Sequence, residues 1–294
     1  MEKFLLFDQE RKVNKLILHS GKFHADDVTL AALILECINP DCVISRTNVL
    51  DIDNVEDDTI VADIGNMYDG YQFFDHHQRE EIETPKSALG LFWDDFGNKD
   101  HPAYTRFNEF VNIINLIDTG AIKTPDEYCS GISAMNPFWS ETITESEAFD
   151  NAVLIVRELI RAIINNNLDV INECYDKLNK RKEEFDKCSE MANEYLEKNA
   201  KLIPVSPEYS LLDLTDRFIP YNNYVKNHSD IVAIITPGRI EPAVNVLFAN
   251  RDNLFPEEWI DATPAFITFI HKSRFLAAFA NKESVIKYFE EVLK

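Results

Sequence analysis

The sequence predicts an α/β protein with an N-terminal parallel, doubly wound sheet, a helical connector and a smaller C-terminal α/β domain. Three observations lead to this prediction. Short apolar runs alternate with helical spacing over the first 120 residues, the order typical of a parallel sheet. Two long helical patterns occupy residues 145–199, and strand-like runs return after residue 204. We therefore expect domains at 1–140, 141–204 and 205–294.

The elements of the first domain follow from the spacing of its apolar residues. Strands are predicted where a short apolar run is bounded by polar residues, and helices where apolar residues recur every three or four positions. The predicted strands are Asn14 to His19, Val43 to Thr47, Thr59 to Ala62 and Phe73-Phe74. The predicted helices are Asp26 to Ile38, Ala88 to Phe96 and Phe107 to Ile117.

The rest of the chain divides into a helical part and a second strand-bearing part. Glu145 to Asn166 and Leu168 to Asn199 have helical spacing, and we interpret the second, highly charged one as an amphipathic scaffold. Strands are then predicted at Tyr209 to Leu214, Asp230 to Thr236, Ala243 to Phe248 and Ala265 to Ile270, and a closing helix at Asn281 to Leu293.

Composition limits the class of partner and the compartment. The 294 residues carry a net charge of −22, which opposes binding of long polyanions because nucleic-acid-binding proteins neutralise many phosphates with Lys and Arg. The sequence has no apolar stretch of membrane-spanning length and no N-terminal targeting pattern. Its five cysteines form no close pair, which favours reduced thiols. We expect a cytoplasmic protein without a membrane partner, and the oligomeric state is left open.

Imidazole and carboxylate side chains cluster behind three predicted strands. They are His19, His24, Asp26 and Asp27 after the first strand, Asp63 after the third, and Asp75, His76 and His77 after the fourth. In an open α/β sheet, ligands bind beyond the carboxyl ends of the strands, so these groups are expected to meet in one crevice. Imidazole together with carboxylate is typical of a site for divalent metals.

Two further details refine this site. Adjacent residues leaving a strand point in opposite directions, so one ring of His76-His77 could bind metal while the other faces the substrate. Asp118 is predicted to end a helix, where the helix dipole disfavours negative charge by about 0.3–1 kcal/mol. A metal ion would compensate that charge. The sequence Asp118-Thr119-Gly120 is also typical of an ordinary solvated turn, which is the alternative interpretation.

Several common catalytic and nucleotide-binding motifs do not occur. The sequence contains neither G-x-G-x-x-G nor G-x-x-x-x-G-K-[ST], and no G-x-S-x-G elbow. It also has no tandem aromatic and basic stretch of the kind that binds RNA. A phosphate-bearing substrate would therefore be held by metal ions and a few basic side chains.

Four motifs together resemble one branch of the DHH phosphoesterases. They are H-x-G-x-F-H-x-D at 19–26, D-I-G at 63–65, D-H-H-Q at 75–78 and I-D-x-G at 117–120. The branch is the MYG-type (melanocyte-proliferating-gene) family of metal-dependent hydrolases. Other stretches fit as well, and those after residue 200 fit more loosely: Ser87–Gly90, Asn136–Trp139, Phe255–Trp259 and Phe269–Ser273. The resemblance therefore covers nearly the whole chain in order.

The resemblance implies a two-domain phosphoesterase with its active site in the cleft and two divalent ions, commonly manganese, with magnesium or another ion left open. It implies that His19, His24 and Asp63 hold one ion, and that Asp26, Asp63, His76 and Asp118 hold the other. His77 would face the scissile phosphate, and Asp75 would orient a ligand without touching metal. His271, Lys272 and Arg274 are the basic candidates for binding substrate. The implied reaction is in-line attack of a metal-activated water on phosphorus.

The substrate that the resemblance implies is RNA, degraded by 3′–5′ exonuclease action on short oligonucleotides; another small phosphate ester is the wider class. Two positions depart from the family pattern. Ala277-Ala278 replaces a usual Gly-Gly pair, and Ala134 stands where an arginine is often found. These departures motivate a second hypothesis, a metal-binding regulatory or binding module without turnover. An inorganic pyrophosphatase of the DHH type is the alternative enzyme.

Overall fold

The protein folds into two compact units. The structure is a computed structural model, and it describes residues 4–5, 11–76, 86–139, 141–216, 219–238, 241–250, 253–270 and 274–293. The first unit comprises residues 1–137 and 142–184, and the second comprises 138–141 and 185–294. A parallel sheet near the N-terminus, helices in the middle and a second sheet near the C-terminus are all confirmed. The functional division at residues 140 and 204 stays a prediction.

The sheet of the first unit has four strands, all parallel. They are β1 (Lys15–His19), β2 (Val43–Thr47), β3 (Thr59–Ala62) and β4 (Phe73–Phe74), in the order β2-β1-β3-β4. The central β1 pairs with β2 on one side and β3 on the other, with Leu16 opposite both Ile44 and Ile60. Because the strands are parallel, the residues that follow β1, β3 and β4 leave the sheet at the same edge.

Six helices are found among the described residues between β1 and residue 199. They are α1 (Ala25–Cys37), α2 (Ala88–Phe96), α3 (Tyr104–Asp118), α4 (Glu127–Met135), α5 (Glu145–Ile164) and α6 (Leu168–Asn199). A 3-10 turn, Ile52–Asn54, lies in the polar stretch between β2 and β3. The helix α4 was not predicted. It is short, and it begins at Asp126, whose side chain caps the helix by accepting a hydrogen bond from the N–H of Cys129 at 2.8 Å.

The two faces of this sheet are covered differently. Leu16 and Leu18 pack in the main core with helices, and α1 is buried on nearly all sides between the sheet and α5. On the opposite face, Ile17, Val61 and Phe73 pack against loop residues, namely Leu50, Val55, Ile64 and Met67. A second layer of helices is not found there among the described residues, so the doubly wound arrangement is not confirmed.

The second unit contains a mixed six-stranded sheet. Its strands are β5 (Leu202–Pro204), β6 (Ser210–Asp213), β7 (Ile231–Pro237), β8 (Val244–Phe248), β9 (Ile267–Ile270) and β10 (Leu276–Phe279), in the order β5-β6-β7-β8-β10-β9. Its short helices are α7 (Asn222–Asn227), α8 (Glu258–Asp261) and α9 (Lys282–Val292). Among the described strands of this sheet, the β6–β7 pair is parallel and the other pairs are antiparallel. In the part of the chain that the structure describes, no helix has the length and apolar content needed to cross a membrane.

The two alanines that depart from the family pattern lie on opposite faces of β10. Ala277 is fully buried in the core that contains Phe255, Trp259 and Phe279. Side chains alternate along a strand, so Ala278 points to the opposite face, where its β8 partner is Asn245. Ala277 therefore contributes to the packing of this core, whereas Ala278, which is 9% exposed, faces away from it.

Candidate metal centre

The loop after β1 brings two histidines and two aspartates to the edge of the sheet. Gly21 has φ +96°, a conformation that glycine adopts without steric cost, and His24 is the N-cap of α1. Asp26 and Asp27 then lie in the first helical turn, where the helix dipole favours carboxylates. Asp27 Oδ2 accepts a hydrogen bond from the N–H of His24 at 3.0 Å, which completes a capping box.

This loop is held in place by residues that are distant in sequence. The side-chain amide of Asn136 pairs with both backbone groups of Phe23: Nδ2 donates to the carbonyl and Oδ1 accepts from the N–H, each at 3.0 Å. Arg46, at the end of β2, donates to the carbonyl of Gly21 and lies 4.7 Å from the Phe149 ring. These contacts fix the path of the chain between the β1 histidine and the α1 ligands.

Asp63 follows β3 with a backbone conformation that aims its carboxylate at two histidines. Its φ is +55°, in the left-handed region that Asp and Asn tolerate better than most residues. Asp63 Oδ2 lies 3.2 Å from His19 Nε2, and Asp63 Oδ1 lies 3.0 Å from His76 Nε2. A single carboxylate thus contacts imidazoles from two different strands.

The segment after β4 supplies Asp75 and His76. Asp75 is buried, and its Oδ2 accepts a hydrogen bond from the N–H of Asn66 at 2.7 Å. This bond ties the β4 end to the turn that carries Asp63. His77, predicted to face the phosphate, lies outside the described residues, so its position is not assigned.

Asp118 is the last residue of α3, as the sequence predicted. Its Oδ2 lies 3.5 Å from His76 Nε2. The same carboxylate joins His24 and Asp26 in a group whose ligand atoms all lie within 4.8 Å of one another. A helix C-terminus is an unfavourable place for negative charge, so this cluster must compensate Asp118 by other means.

The six residues expected to bind metal therefore come together. His19, His24 and Asp63 share a second group with ligand atoms within 4.8 Å, and the fourth member of that group is Asp27. Asp27 stands in the same sequence segment but is not among the ligands that the family resemblance implies. The available signal was its spacing, three residues after His24, which places it beside the start of α1.

The donor set fits divalent cations. Asp26 is 0% exposed, and neither of its carboxylate oxygens has a hydrogen-bond partner among the described residues. Buried carboxylates without partners are costly, so buried charges are normally paired or bound to metal. Carboxylate oxygens together with imidazole nitrogens suit ions such as Mn²⁺, Fe²⁺ or Zn²⁺.

The electrostatics of the cluster also indicate a site for cations. Burial raises the pKa of Asp26 well above its usual range, and the nearby carboxylates of Asp118, Asp27 and Asp63 raise it further. Burial also raises the pKa of Asp118, although His76 opposes this. For His19, burial lowers the pKa, but Asp27 and Asp63 outweigh burial and raise it to about 11. The cluster is short of positive charge.

These pKa shifts predict how metal affinity depends on pH. The neighbouring carboxylates raise the pKa of metal-free His19 to about 11, so its ring is protonated at neutral pH, and an imidazole must lose that proton to bind a cation. Affinity for Mn²⁺ is therefore expected to rise about tenfold per pH unit for one displaced proton, for example between about pH 6.5 and 7.5. Calorimetric titration in buffers of different ionisation enthalpy measures both the affinity and the protons released. Affinity that does not change with pH would contradict this prediction.

The Asn136 amide pair predicts a second measurable effect. An Asn136→Ala variant leaves the Phe23 N–H and carbonyl without their partner, which should lower the free energy of unfolding by about 1–3 kcal/mol. Because the loop carries metal ligands, Mn²⁺ affinity should also fall by about 10- to 100-fold, as for other residues that orient ligands.

Asn281→Ala is the matched control for this variant. Asn281 caps α9 in the second unit by accepting from the N–H of Ser284 at 2.9 Å. Its loss should cost about 1 kcal/mol of stability without affecting the affinity for Mn²⁺. Equal affinities in the two variants would show that Asn136 does not position the ligands.

The residues proposed to bind substrate are only partly described. His271 and Lys272 lie outside the described residues. Arg274 has φ +58°, and its Nη1 donates to the carbonyl of Phe255 at 3.3 Å and lies 3.8 Å from a Glu257 oxygen. Ala134, the other departure from the family pattern, is buried, and its carbonyl accepts from Arg181 Nε at 3.0 Å.

Comparison with known proteins gives one family. The model MYG1_exonuc, described as an uncharacterised protein family (UPF0160), matches residues 15–226. The MYG1 protein YER156C of Saccharomyces cerevisiae is 30% identical over 193 residues, covering 52% of this chain and 56% of that protein. The MYG1 protein C694.04c of Schizosaccharomyces pombe is 36% identical over 92 residues, which are 29% and 28% of the two chains. A MYG1 protein of Chlamydia muridarum is 30% identical over 141 residues, covering 45% of this chain and 47% of that protein. The chain spans about half the length, or less, of these curated relatives.

Proposed function

The chain belongs to the MYG1_exonuc family, and from this membership and its metal centre we propose that it is a two-metal phosphoesterase of the DHH type. The proposed reaction is hydrolysis of phosphodiester bonds, with 3′–5′ exonuclease action on RNA or short oligonucleotides. The observation that carries the proposal is the buried carboxylate of Asp26, which lacks a partner among the described residues and lies beside Asp118 and His24.

The charges of the cluster support two ions. Four carboxylates meet three imidazoles at the edge of the sheet, namely Asp26, Asp27, Asp63 and Asp118 with His19, His24 and His76. Two divalent cations would balance the four negative charges. In the proposed arrangement, His19, His24 and Asp63 hold the first ion, while Asp26, Asp63, His76 and Asp118 hold the second. Manganese is the proposed ion because carboxylate ligands suit it.

The residues of the chain have distinct tasks in this proposal. The bound ions would polarise phosphoryl oxygens and lower the pKa of water toward about 7. Asp63 holds the rings of His19 and His76 in fixed directions through contacts at 3.2 and 3.0 Å. Asp75 orients the segment of His76 through its bond to the Asn66 N–H. His77, which lies outside the described residues, is proposed to face the scissile phosphate because the family resemblance implies that role.

The acidic surface supports a short substrate. A net charge of −22 repels a long polyanion, whereas a terminal nucleotide presents few phosphates to the site. The basic residues His271, Lys272 and Arg274 are the proposed contacts to that nucleotide. Free thiols at all five cysteines support a reducing compartment, and we propose the cytoplasm.

A substrate panel tests this function. Protein treated with a chelator is assayed before and after addition of Mn²⁺, with short RNA, short DNA, a dinucleotide and pyrophosphate as substrates. Release of mononucleotides from the 3′ end of RNA, only with Mn²⁺, is the expected result. Turnover of pyrophosphate alone would favour the pyrophosphatase alternative, and no turnover of any substrate would refute the proposed enzyme.

Metal-dependent binding without turnover is the second candidate. Ala278 favours it, since its Cβ stands on a sheet face where the family pattern has glycine, and a Cβ there restricts the close approach of a phosphate to the backbone. Tight binding of RNA by the Mn²⁺-loaded protein, without product release, would support this alternative, and rapid hydrolysis would exclude it.

A further inference from the structure

Asp27 makes more contacts than a helix cap requires. Its Oδ2 lies 3.0 Å from the His24 N–H nitrogen that it caps and also 3.0 Å from His19 Nε2. The side chain is 1% exposed. It therefore joins the start of α1 to the imidazole at the end of β1.

A second capping box in the same unit shows what capping alone looks like. Glu147 occupies the equivalent position of α5, and its Oε2 accepts from the N–H and the hydroxyl of Thr144 at 2.9 and 2.7 Å. That side chain is exposed to solvent, and its hydrogen bonds are with Thr144 rather than with an imidazole. Burial and an imidazole partner are thus features of Asp27 that capping does not explain.

The second oxygen of Asp27 points to the same conclusion. Capping uses Oδ2, whereas Oδ1 is buried and has no hydrogen-bond partner among the described residues. An acceptor left in this state costs free energy unless another positive group satisfies it. Asp27 also belongs to the four-residue group, with His19, His24 and Asp63, whose ligand atoms lie within 4.8 Å of one another.

The composition of the first ion's ligands changes if Asp27 is included. Without Asp27, the proposed first ion has two imidazoles and one carboxylate, which it shares with the second ion. With Asp27 it has two imidazoles and two carboxylates, and each ion has four protein ligands. An added oxygen ligand favours Mn²⁺ over ions that prefer nitrogen or sulfur.

We infer that Asp27 is the fourth protein ligand of the first ion, in addition to capping α1; this inference rests on the two-metal centre of the proposed function. Its carboxylate provides a negative charge that belongs to the first ion alone, because Asp63 is shared. Loss of that charge should therefore weaken one of the two ions and leave the other nearly unchanged.

Asp27→Asn tests the inference because it separates capping from charge. The asparagine side-chain oxygen can still accept from the His24 N–H, since carboxylate and amide side chains both serve at this third helical position of a capping box, but the negative charge is lost. Mn²⁺ binding to chelator-treated protein is measured by calorimetry, with metal content as a second readout. We expect two sites in the unmodified protein and, in the variant, about 100-fold weaker binding at one site with less than about threefold change at the other.

Two further variants serve as controls. Glu147→Gln makes the same charge-removing change at the capping acid of α5 and should leave both Mn²⁺ sites unchanged. Asp27→Glu retains the carboxylate and should bind the first ion better than Asp27→Asn, which keeps the test valid if the asparagine variant folds poorly.

The outcomes separate this inference from the proposed function. If Asp27→Asn binds two ions as tightly as the unmodified protein, or weakens both sites equally, Asp27 is not a ligand of the first ion, whatever the protein hydrolyses. If one site is selectively weakened but the unmodified protein hydrolyses no member of the substrate panel, the ligand assignment stands and the phosphoesterase proposal fails.

Discussion

Replacement of Asp63 by asparagine is expected to lower Mn²⁺-dependent hydrolysis by at least about 1000-fold while the fold survives. The carboxylate contacts His19 and His76 at once and is proposed to join both ions. Its loss removes metal-derived stabilisation worth several kcal/mol, and about 4 kcal/mol corresponds to three decades of rate. Asparagine is the informative substitute because it tolerates the φ of +55° found at this position.

Asp69→Asn is the matched control for this change. Asp69 lies in the loop between β3 and β4, is exposed, and accepts hydrogen bonds from the backbone N–H groups of Tyr71, Gln72 and Phe73. Its variant should retain full activity. Circular dichroism and the thermal midpoint establish that Asp63→Asn is folded, and unimpaired turnover by that folded variant would refute the bridging role of Asp63.

Replacement of Asp26 by asparagine is expected to stabilise the metal-free protein and to abolish its stabilisation by Mn²⁺. The carboxylate is fully buried without a hydrogen-bond partner among the described residues. Removing such a charge should add about 1–3 kcal/mol to the free energy of unfolding, which raises the midpoint by roughly 3–10 °C. Mn²⁺ at about 100 times its dissociation constant should stabilise the unmodified protein by about 2.7 kcal/mol, and the variant by much less.

The pH dependence of stability gives an independent check on Asp26. Its pKa in the folded protein is raised above the ordinary value, so the folded state binds a proton more readily than the unfolded state does. The metal-free protein should therefore become more stable as pH falls from that raised pKa toward the ordinary carboxylate pKa of about 3.9, and Asp26→Asn should show less of this gain.

Asp53→Asn is the surface control for Asp26→Asn. Asp53→Asn makes the same chemical change at an exposed residue of the 3-10 turn and should alter neither stability nor its response to Mn²⁺. Thermal denaturation of all three proteins, with chelator and with Mn²⁺, provides the measurements. An Asp26→Asn protein that is less stable without metal, or equally stabilised by Mn²⁺, would contradict the role of this carboxylate.

The elements that sequence predicted well are those with a strong periodic pattern or a clear boundary. The bounds of β3, α2 and α6 agree with the prediction, because an apolar run, a serine cap and a long amphipathic repeat mark them. The missed elements are short. The helix α4 has only nine residues, and β10 contains two alanines, which have a weak preference for strands.

The candidate site was predictable as a set of strand-end residues but not as a geometry. Parallel pairing of β1, β3 and β4 brings their following residues to one edge, which the alternation of strands and helices already indicated. The left-handed backbone of Asp63 and the burial of Asp27 depend on tertiary contacts. The spacing of Asp27 could therefore predict its place at the start of a helix. Its contact with His19 is seen only in the folded structure.

The bond between Asn136 and Phe23 spans 113 residues of chain, and this distance has a consequence for synthesis. The ligands nearest the N-terminus emerge from the ribosome long before the amide that holds their loop. Domains generally fold as units, and contacts of high sequence separation form late. We expect a nascent chain that stops before residue 136 to bind Mn²⁺ weakly, so that capture of the ion follows the completion of the first unit.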